Sequence, residues 1–253
     1  MTNALTGQGV LVTGGSSGIG RAIALAAARA GAAVALTYRD NEAGALDVQR
    51  SIQALGQQAH VFALDVSDED AVRGIGPAAA LALGRIDAWI NNAGADVLTG
   101  SGADLSLLDK LDLLLSVDLR GTMLASWQAA ELMAAQTGGG VIINMSWDHV
   151  ITGMAGANPQ LFAAVKGGVL AFSKALARSA APHVRVNVVA PGWIDTSFGA
   201  GLDVARRDAI VRTVPLGRWG TPDDVAAAAV FLASPAAAYL TGQTIFVGGG
   251  AVM

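Results

Sequence analysis

Short apolar runs alternate with longer stretches of helical periodicity along most of the sequence. The apolar runs are rich in Val, Ile and Ala, and they predict strands at Gly9–Thr13, Ala33–Tyr38, Ala59–Leu64, Ile86–Asn91, Gly140–Met145, Val184–Val189 and Thr244–Val247. The stretches between them predict helices at Ile19–Ala30, Glu42–Leu55, Asp68–Leu83, Pro159–Ala181 and Asp223–Ala233, with one long helix or two over Leu105–Gln136. Strands that are apolar throughout are typical of a parallel sheet covered by helices on both faces. The alternation therefore predicts an α/β fold, a doubly wound parallel sheet between two layers of helices.

Residues that end or start helices stand at the predicted boundaries. Gly31, Gly56 and Gly84 follow predicted helices, and Thr221 with Pro222 precedes the last one. No low-complexity linker interrupts the pattern. Residues 1–253 are therefore predicted to form a single domain.

Composition narrows the classes of partner. Of the 253 residues, 53% are hydrophobic and only 14% are charged, and the net charge is −4. Because Lys and Arg form no run, nucleic-acid binding is not expected. The charged share is well below the roughly 25% of ordinary domains, which suggests that sister subunits cover part of the surface of a homo-oligomer.

Residue usage also bears on chemistry and location. The sequence has no Cys, and its three His residues have no metal-ligand spacing, so neither a thiolate nor a metal site is predicted. The longest apolar stretch, residues 22–37, is interrupted by Arg29 and Gly31 and does not predict a membrane span. The N-terminal segment lacks the basic and apolar pattern of a signal peptide, so we expect a cytoplasmic protein with no membrane partner.

A glycine-rich turn joins the first predicted strand to the first predicted helix. It contains Gly14, Gly18 and Gly20, which permit a tight turn and close backbone approach to a pyrophosphate, together with Ser16, Ser17 and Ile19. The start of the helix offers free N–H groups and a positive dipole end to phosphates. This context predicts a dinucleotide site on a Rossmann-type fold.

Several motifs together resemble the short-chain dehydrogenase/reductase family, in particular its 3-oxoacyl-ACP reductases. They are Thr13-Gly-Gly-Ser-Ser-Gly-Ile-Gly20, Asp65-Val66, Asn91-Asn92-Ala93-Gly94, Pro191-Gly192-Trp193-Ile194-Asp195-Thr196 and Gly242-Gln243. The resemblance covers essentially the whole chain, and its motifs occur in the family's order. It implies that Asp65 and Val66 flank the adenine, that Asn92, Ala93 and Gly94 line the ribose side, and that Pro191, Gly192, Ile194 and Thr196 hold the nicotinamide carboxamide.

The end of the second predicted strand favours NADP(H) over NAD(H). An acidic residue there would bind the adenosine ribose and repel a 2′-phosphate. This chain has Tyr38 followed by Arg39, which can pair with a phosphate, although Asp40 comes directly after it.

The catalytic positions depart from the family's pattern. Where the resemblance implies a YxxxK motif, the chain has Phe162 and Lys166, and a phenyl ring has no proton to give. Trp147 stands where the family has its Ser, and Asp118 stands where it has an Asn. The loop before Phe162 is about two residues longer than usual, so Ser146, Trp147, Asp148 and His149 compete for the Ser position.

Each of these residues has both a structural and a catalytic interpretation. Lys166 is expected to bond the nicotinamide ribose whatever the chemistry. Asp118 either pairs with Lys166 or acts as a proton relay or as a carboxylate that faces the substrate. Asp148 is either a functional acid at the ligand-binding edge of the sheet or the cap of a turn, and His149 is an alternative proton donor.

Four hypotheses follow for the reaction. The leading one is NADPH-dependent reduction of a C=N bond (imine, iminium or dihydropterin-like), which needs no Tyr proton and uses Asp118 or Asp148 to stabilise a cation. The others are ketone or alcohol chemistry with Asp148 or His149 as acid, enoyl reduction with a proton from water, and a cofactor-binding pseudoenzyme without turnover.

The sequence also indicates the kind of substrate and the assembly. Trp147, Trp193, Phe162 and Phe198 predict a pocket for a small molecule that is aromatic or bulky and apolar. The resemblance implies a tetramer or a dimer, built on Leu105–Gln136, Pro159–Ala181 and the last strand. It also implies a mobile segment over the substrate at Gly199–Thr213.

Overall fold

The computed structural model describes residues 3–253, without the side chains of residues 198 and 200. Its centre is a sheet of seven parallel strands in the order β3-β2-β1-β4-β5-β6-β7. The strands are β1 (Gly9–Val12), β2 (Ala33–Tyr38), β3 (Ala59–Ala63), β4 (Ala88–Asn91), β5 (Gly140–Met145), β6 (Val184–Pro191) and β7 (Thr244–Val247). The order reverses between β1 and β4, which opens a crevice at the carboxyl edge of the sheet where ligands bind in this kind of fold.

Helices cover both faces of the sheet. They are α1 (Gly18–Arg29), α2 (Glu42–Ala54), α3 (Glu69–Leu83), α4 (Gly100–Ala103), α5 (Leu107–Leu114), α6 (Thr122–Ala134), α7 (Ala157–Ala180), α8 (Ser197–Ala200), α9 (Val204–Val211) and α10 (Pro222–Ala233). The predicted α/β fold with a doubly wound parallel sheet is confirmed. Within the described range, no helix is both long enough and apolar enough to cross a membrane.

Side-chain caps explain where several helices begin. Asp68 accepts hydrogen bonds from the backbone N–H groups of Asp70 and Ala71 at the start of α3. Thr221 and Asp224 cap each other's backbone at the start of α10, with Pro222 in the first turn. These bonds satisfy N–H groups that the helix itself leaves without partners.

The predicted helix over Leu105–Gln136 is one helical stretch from Leu107 to Ala134, and its middle is widened. Between α5 and α6, Leu115–Gly121 forms a π-helical segment that contains Asp118. Such segments are rare and often occur at functional sites. The sequence pattern gave no sign of the widening.

Four strand boundaries differ from the prediction. The first and third strands end one residue early, at Val12 and Ala63. The fourth strand begins at Ala88 rather than Ile86, because the backbone N–H and carbonyl of Ile86 bind the side-chain amide of Gln136 instead. The sixth strand continues past Val189 to Pro191, since Ala190 and Pro191 pair with Phe246 and Val247.

A buried polar network lies behind the carboxyl edge of the sheet. The Asn91 amide nitrogen donates to Asn144 Oδ1 at 2.8 Å and to Ser126 Oγ at 3.0 Å. The Asn144 amide nitrogen in turn donates to Ser173 Oγ at 2.9 Å. The network ties β4 and β5 to α6 and α7, and a buried network that is satisfied in this way holds its elements in one arrangement.

Candidate active site

Two adjoining clefts lie at the carboxyl edge of the sheet. The polar cleft has a volume of about 360 Å³ and is lined by Gly14, Ser16–Gly20, Tyr38–Asn41, Leu64–Val66, Asn92–Gly94, Val117 and Thr196. The apolar cleft has a volume of about 550 Å³ and is lined by Ile19, Asn92, Leu98, Met145–Trp147, Met154, Asn158, Pro159, Phe162, Lys166, Pro191–Ile194, Thr196, Leu202 and Arg206. The clefts share Ile19, Asn92 and Thr196, so a long ligand can lie across both.

Glycine geometry shapes the floor of the polar cleft. Gly14 and Gly18 have positive φ angles of 65° and 52°. A Cβ on Gly20 would overlap the carbonyl oxygen of Gly14 and the side-chain amide of Asn92. Only glycine meets these conditions, so the turn folds tightly and leaves its backbone open to a ligand.

The first turn of α1 faces the polar cleft with open N–H groups. Ser17 is the N-cap residue of α1, but its side chain makes no capping hydrogen bond, and the first turn contains no acidic residue. The Asn92 side chain fixes the turn by donating to the carbonyl oxygens of Thr13 and Gly14 at 3.1 and 3.0 Å. The N–H groups and the dipole of α1 therefore fit the pyrophosphate of a dinucleotide.

Tyr38, Arg39 and Asp65 line another part of the polar cleft. The Arg39 guanidinium is exposed and pairs with Asp40, with a 2.6 Å distance from Nε to Oδ2. The hydroxyl and backbone N–H of Ser67 donate to Asp65 and hold the pKa of that carboxyl below its usual value, and Arg39 adds to the effect. Arg39 is thus the cation available to an anion in this part of the cleft, in competition with Asp40.

Asp118 and Lys166 form an ion pair between the π-helical segment and α7. The distance from Lys166 Nζ to Asp118 Oδ2 is 2.8 Å, and the side chains are 12% and 2% exposed. The second Asp118 oxygen accepts the backbone N–H of Ala95 at 2.8 Å. Asp118 thus pairs with Lys166, which is one of the interpretations that the sequence left open. The pairing neutralises the charge of the carboxylate.

Ser146 lines the apolar cleft, but its hydroxyl is already used. Its Oγ donates to the backbone carbonyl of Lys166 at 2.8 Å. Trp147 and Phe162 stand side by side on the cleft wall, with ring centroids 6.3 Å apart. Where the resemblance implies a hydroxyl pair of Ser and Tyr, this chain presents two aromatic rings.

Asp148 and His149 are not among the residues that line the apolar cleft. Asp148 is fully buried, its Oδ1 lies 2.5 Å from His149 Nδ1, and its Oδ2 has no hydrogen-bond partner. That oxygen packs where a Cβ on Gly192 or Gly248 would stand. The imidazole stacks on Trp147 at 5.0 Å. Neither Asp148 nor His149 therefore contacts the cleft in which the prediction had one of them act as an acid.

Burial has a direct effect on Asp148. It raises the pKa of the carboxyl above the usual value, and the neighbouring His149 opposes part of that rise. Burial thus favours the uncharged form of this carboxyl, for which an oxygen without a partner costs less than it does for a carboxylate.

Sequence reasoning missed several residues of the apolar cleft. Leu98, Met154, Asn158, Leu202 and Arg206 line it. Asn158, Phe162 and Lys166 are spaced four residues apart on α7 and share one face, so helical periodicity would have found Asn158. The others come from loops and the short helices after β6, where no periodic signal exists.

The remaining aromatic predictions have two outcomes. Trp193 lines the apolar cleft and lies 5.9 Å from the His149 ring. The Phe198 side chain lies outside the described residues. No group of three or more His, Asp or Glu side chains suited to a metal ion occurs in the part of the chain that is described.

Comparisons with known proteins agree with this geometry. The family model described as enoyl-(acyl carrier protein) reductase matches residues 14–252. The 3beta-hydroxysteroid dehydrogenase 1 of Eggerthella lenta is 37% identical over 253 residues, which are 99% of this chain and 95% of that protein. A 3-oxoacyl-(acyl-carrier-protein) reductase of Synechocystis sp. is 37% identical over 254 residues, with 99% of each protein covered.

A solved structure gives the same result. A short chain dehydrogenase from Burkholderia cenocepacia J2315, in complex with NADP, is 37% identical and has a TM-score of 0.88, with 98% of this chain and 99% of that chain covered. The full-length match in sequence and in fold leaves one family. The chain is an oxidoreductase that belongs to the short-chain dehydrogenase/reductase family.

Proposed function

We propose that this chain is an NADP(H)-dependent reductase that delivers a hydride to an acceptor needing no proton from a side chain. One observation carries the proposal. The described residues that line the apolar cleft include no Tyr, His, Asp or Glu, and their only charged side chains are Lys166 and Arg206. Ordinary ketone reduction uses an acid beside the oxygen, and this cleft offers none.

Reduction of a conjugated C=C–C=O group suits the cleft best. When bound, reduced NADP supplies the hydride, which forms a bond to the β-carbon. The C=C electron pair then moves toward the carbonyl oxygen, and water protonates the α-carbon. The Asn158 amide, on the cleft face of α7, donates to that oxygen and stabilises the negative charge that develops there.

C=N reduction is the second candidate, for a different reason. Trp147, Phe162 and Trp193 give the cleft flat apolar walls, which suit a dihydropterin-like or cyclic imine ring. A cationic iminium would need a carboxylate facing it, and the Asp118 carboxylate is paired with Lys166. Electrostatics therefore favours a neutral acceptor.

The cofactor preference rests on Arg39. Its exposed guanidinium lines the polar cleft, and it can leave Asp40 for a 2′-phosphate, which carries more charge than one carboxylate. We expect Lys166 to bond the nicotinamide ribose and the Gly14–Gly20 turn to hold the pyrophosphate. The carboxamide should be held by Pro191, Gly192, Ile194 and Thr196. NADPH should bind more tightly than NADH in a fluorescence titration.

Activity assays with three related substrates test the proposal. Purified protein with NADPH is given 4-phenyl-3-buten-2-one, its saturated ketone 4-phenyl-2-butanone, and the cyclic imine 3,4-dihydroisoquinoline. We expect the enone to be reduced at its C=C bond and the ketone to be untouched. The variant Phe162→Leu, which also lacks a phenol, should keep activity within about threefold.

The other hypotheses are distinct outcomes of the same assay. Imine turnover without enone turnover would select the second candidate. Faster reduction of the saturated ketone would overturn both the enone and the imine candidates. It would favour ketone reduction with Asp148 or His149 as the acid. NADPH binding without turnover of any of the three would support a cofactor-binding pseudoenzyme.

We also propose that the chain assembles into a homodimer or homotetramer through its long helices. Leu108 on α5 is 71% exposed and Trp127 on α6 is 49% exposed. Large apolar side chains at such positions are typical of subunit interfaces. Size-exclusion chromatography with light scattering tests this proposal, and a monomer at micromolar concentration would contradict it.

A further inference from the structure

Arg206 differs from the other cations around the apolar cleft. It lies on α9, is exposed to solvent, and lines the cleft together with Leu202. The Asp203 side chain accepts its backbone N–H at 2.7 Å and so fixes the first turn of α9. Among the described residues, no carboxylate lies within ion-pairing distance of the Arg206 guanidinium.

The neighbouring cations already have partners. Arg207 pairs with Asp195 at 3.0 Å and lies over the Trp219 ring at 4.8 Å. Lys166 is neutralised by Asp118. The protein as a whole carries a net charge of −4, so the uncompensated charge of Arg206 beside the cleft runs against the overall balance.

Most of the other residues that line the cleft are apolar. Trp147, Met154, Trp193 and Leu202 are among them, and the cleft has a volume of about 550 Å³. A ligand that matches these walls and Arg206 at once has an apolar body with a ring and one anionic group at its end. A guanidinium binds carboxylate and phosphate groups through paired hydrogen bonds.

We propose that Arg206 is an anion subsite at the solvent-exposed margin of the apolar cleft, and that the substrate is an apolar, ring-bearing molecule that ends in a carboxylate or a phosphate. This inference rests on the proposed function only in assuming that the apolar cleft takes the substrate. It adds a specificity-determining residue that makes no contact with the reacting bond.

Calorimetric titration of the protein saturated with NADP⁺ tests the subsite without any turnover. The probes are 3-phenylpropanoate, its methyl ester, and 3-phenylpropyl phosphate, which share one apolar body. We expect at least one anion to bind about tenfold more tightly than the ester, as one charge-assisted contact provides. The tighter anion tells whether a carboxylate or a phosphate is the natural group.

Two variants assign the effect to Arg206. Arg206→Gln should reduce the affinity for the anion to that for the ester and leave the ester unchanged. Arg212→Gln is the matched control, because Arg212 is also exposed at α9 but does not line the cleft. Raising the salt concentration should shrink the tenfold preference in the unmodified protein.

Equal affinity for ester and anions, or equal effects of the two variants, would overturn the subsite. Failure of both anions to bind would overturn it as well. Because binding is measured without turnover, these results are independent of the enone assay. A failed enone assay with a positive titration would overturn the proposed reaction and keep the subsite.

Discussion

The polar and apolar clefts adjoin at Asn92 and Thr196, yet they are built in different ways. The polar cleft is shaped by backbone, at positions such as Gly14 and Gly20 where a side chain would overlap a neighbouring main chain. The apolar cleft is shaped by side chains from separate segments, among them Trp147, Phe162 and Trp193. Adding one carbon atom to the backbone-shaped cleft should disrupt it. Exchanging a side chain in the other cleft should alter its chemistry and leave the fold intact.

The strongest test of this contrast adds one methyl group to the polar cleft. In Gly20→Ala, the new Cβ overlaps the Gly14 carbonyl and the Asn92 amide. We expect a loss of about 3 kcal/mol in the free energy of unfolding, at the upper end for overpacking, and NADPH binding weakened beyond about a hundredfold. Urea unfolding and fluorescence titration measure the two effects.

Gly74→Ala in α3 is the matched control. Nothing lies within 4 Å of a Cβ at Gly74, so Ala should stabilise the helix by roughly 0.5–1 kcal/mol. If both variants behaved alike, the backbone account of the polar cleft would be wrong.

The next largest effect is expected at the ion pair that joins the two halves of the site. Asp118→Ala leaves the largely buried Lys166 ammonium without its carboxylate partner. Breaking such a pair lowers the free energy of unfolding by about 3 kcal/mol. Asp112→Ala, at an exposed position of α5, should change stability by less than about 0.5 kcal/mol. Urea unfolding measures both variants, and equal stability would mean that the pair is not a structural element.

The same contrast explains how far the sequence could predict the fold. The bounds of β2, β5 and β7 match the prediction, because each is a mostly apolar run with polar or glycine residues close to its ends. The start of β4 did not match, since the partner of Ile86 is the side chain of Gln136, fifty residues away in sequence. A local pattern carries no information about such a distant amide.

The candidate site divides in the same way. The predicted cofactor residues line the two clefts because the motifs encode backbone geometry that depends on short spacings. The pairing of Asp118 with Lys166, the burial of Asp148 and the place of Arg206 depend on how distant segments pack. The roles of all these residues in catalysis stay predictions.

A gain of function sharpens the comparison from the side of the apolar cleft. Phe162→Tyr returns a phenol to the face of α7 that carries Lys166, and a positioned acid is worth at least about a hundredfold in rate. We expect reduction of 4-phenyl-2-butanone to rise by about that factor, measured as NADPH oxidation. Phe172→Tyr adds a phenol to the same helix beside Trp127, away from the cleft, and should produce no gain. A silent Phe162→Tyr variant that still binds NADPH would mean that more than the missing phenol blocks ketone reduction.

A smaller effect is expected at the open end of the polar cleft. Arg39→Gln removes the exposed cation and should weaken NADPH binding by about tenfold, as expected for one charge-assisted contact, and leave NADH binding unchanged. Fluorescence titration with both cofactors measures the ratio. Equal weakening for the two cofactors would place Arg39 away from the 2′-phosphate.

The smallest expected effect is a change in the free energy of unfolding with pH. It tests whether Asp148 is a buried structural residue. Because burial raises the pKa of Asp148, the folded protein holds this proton more tightly than the unfolded chain does. Its contribution to stability is therefore full below the ordinary pKa of about 3.8 and is lost as the pH rises through the raised value. Asp148→Asn does not titrate, so its stability relative to the unmodified protein should rise with pH across that window, by at most about 1.4 kcal/mol per pH unit. Urea unfolding at a series of pH values measures the difference, with Asp112→Asn as the exposed control, which should give parallel curves. Parallel curves for Asp148→Asn as well would mean that burial does not raise the pKa of this carboxyl in the folded protein.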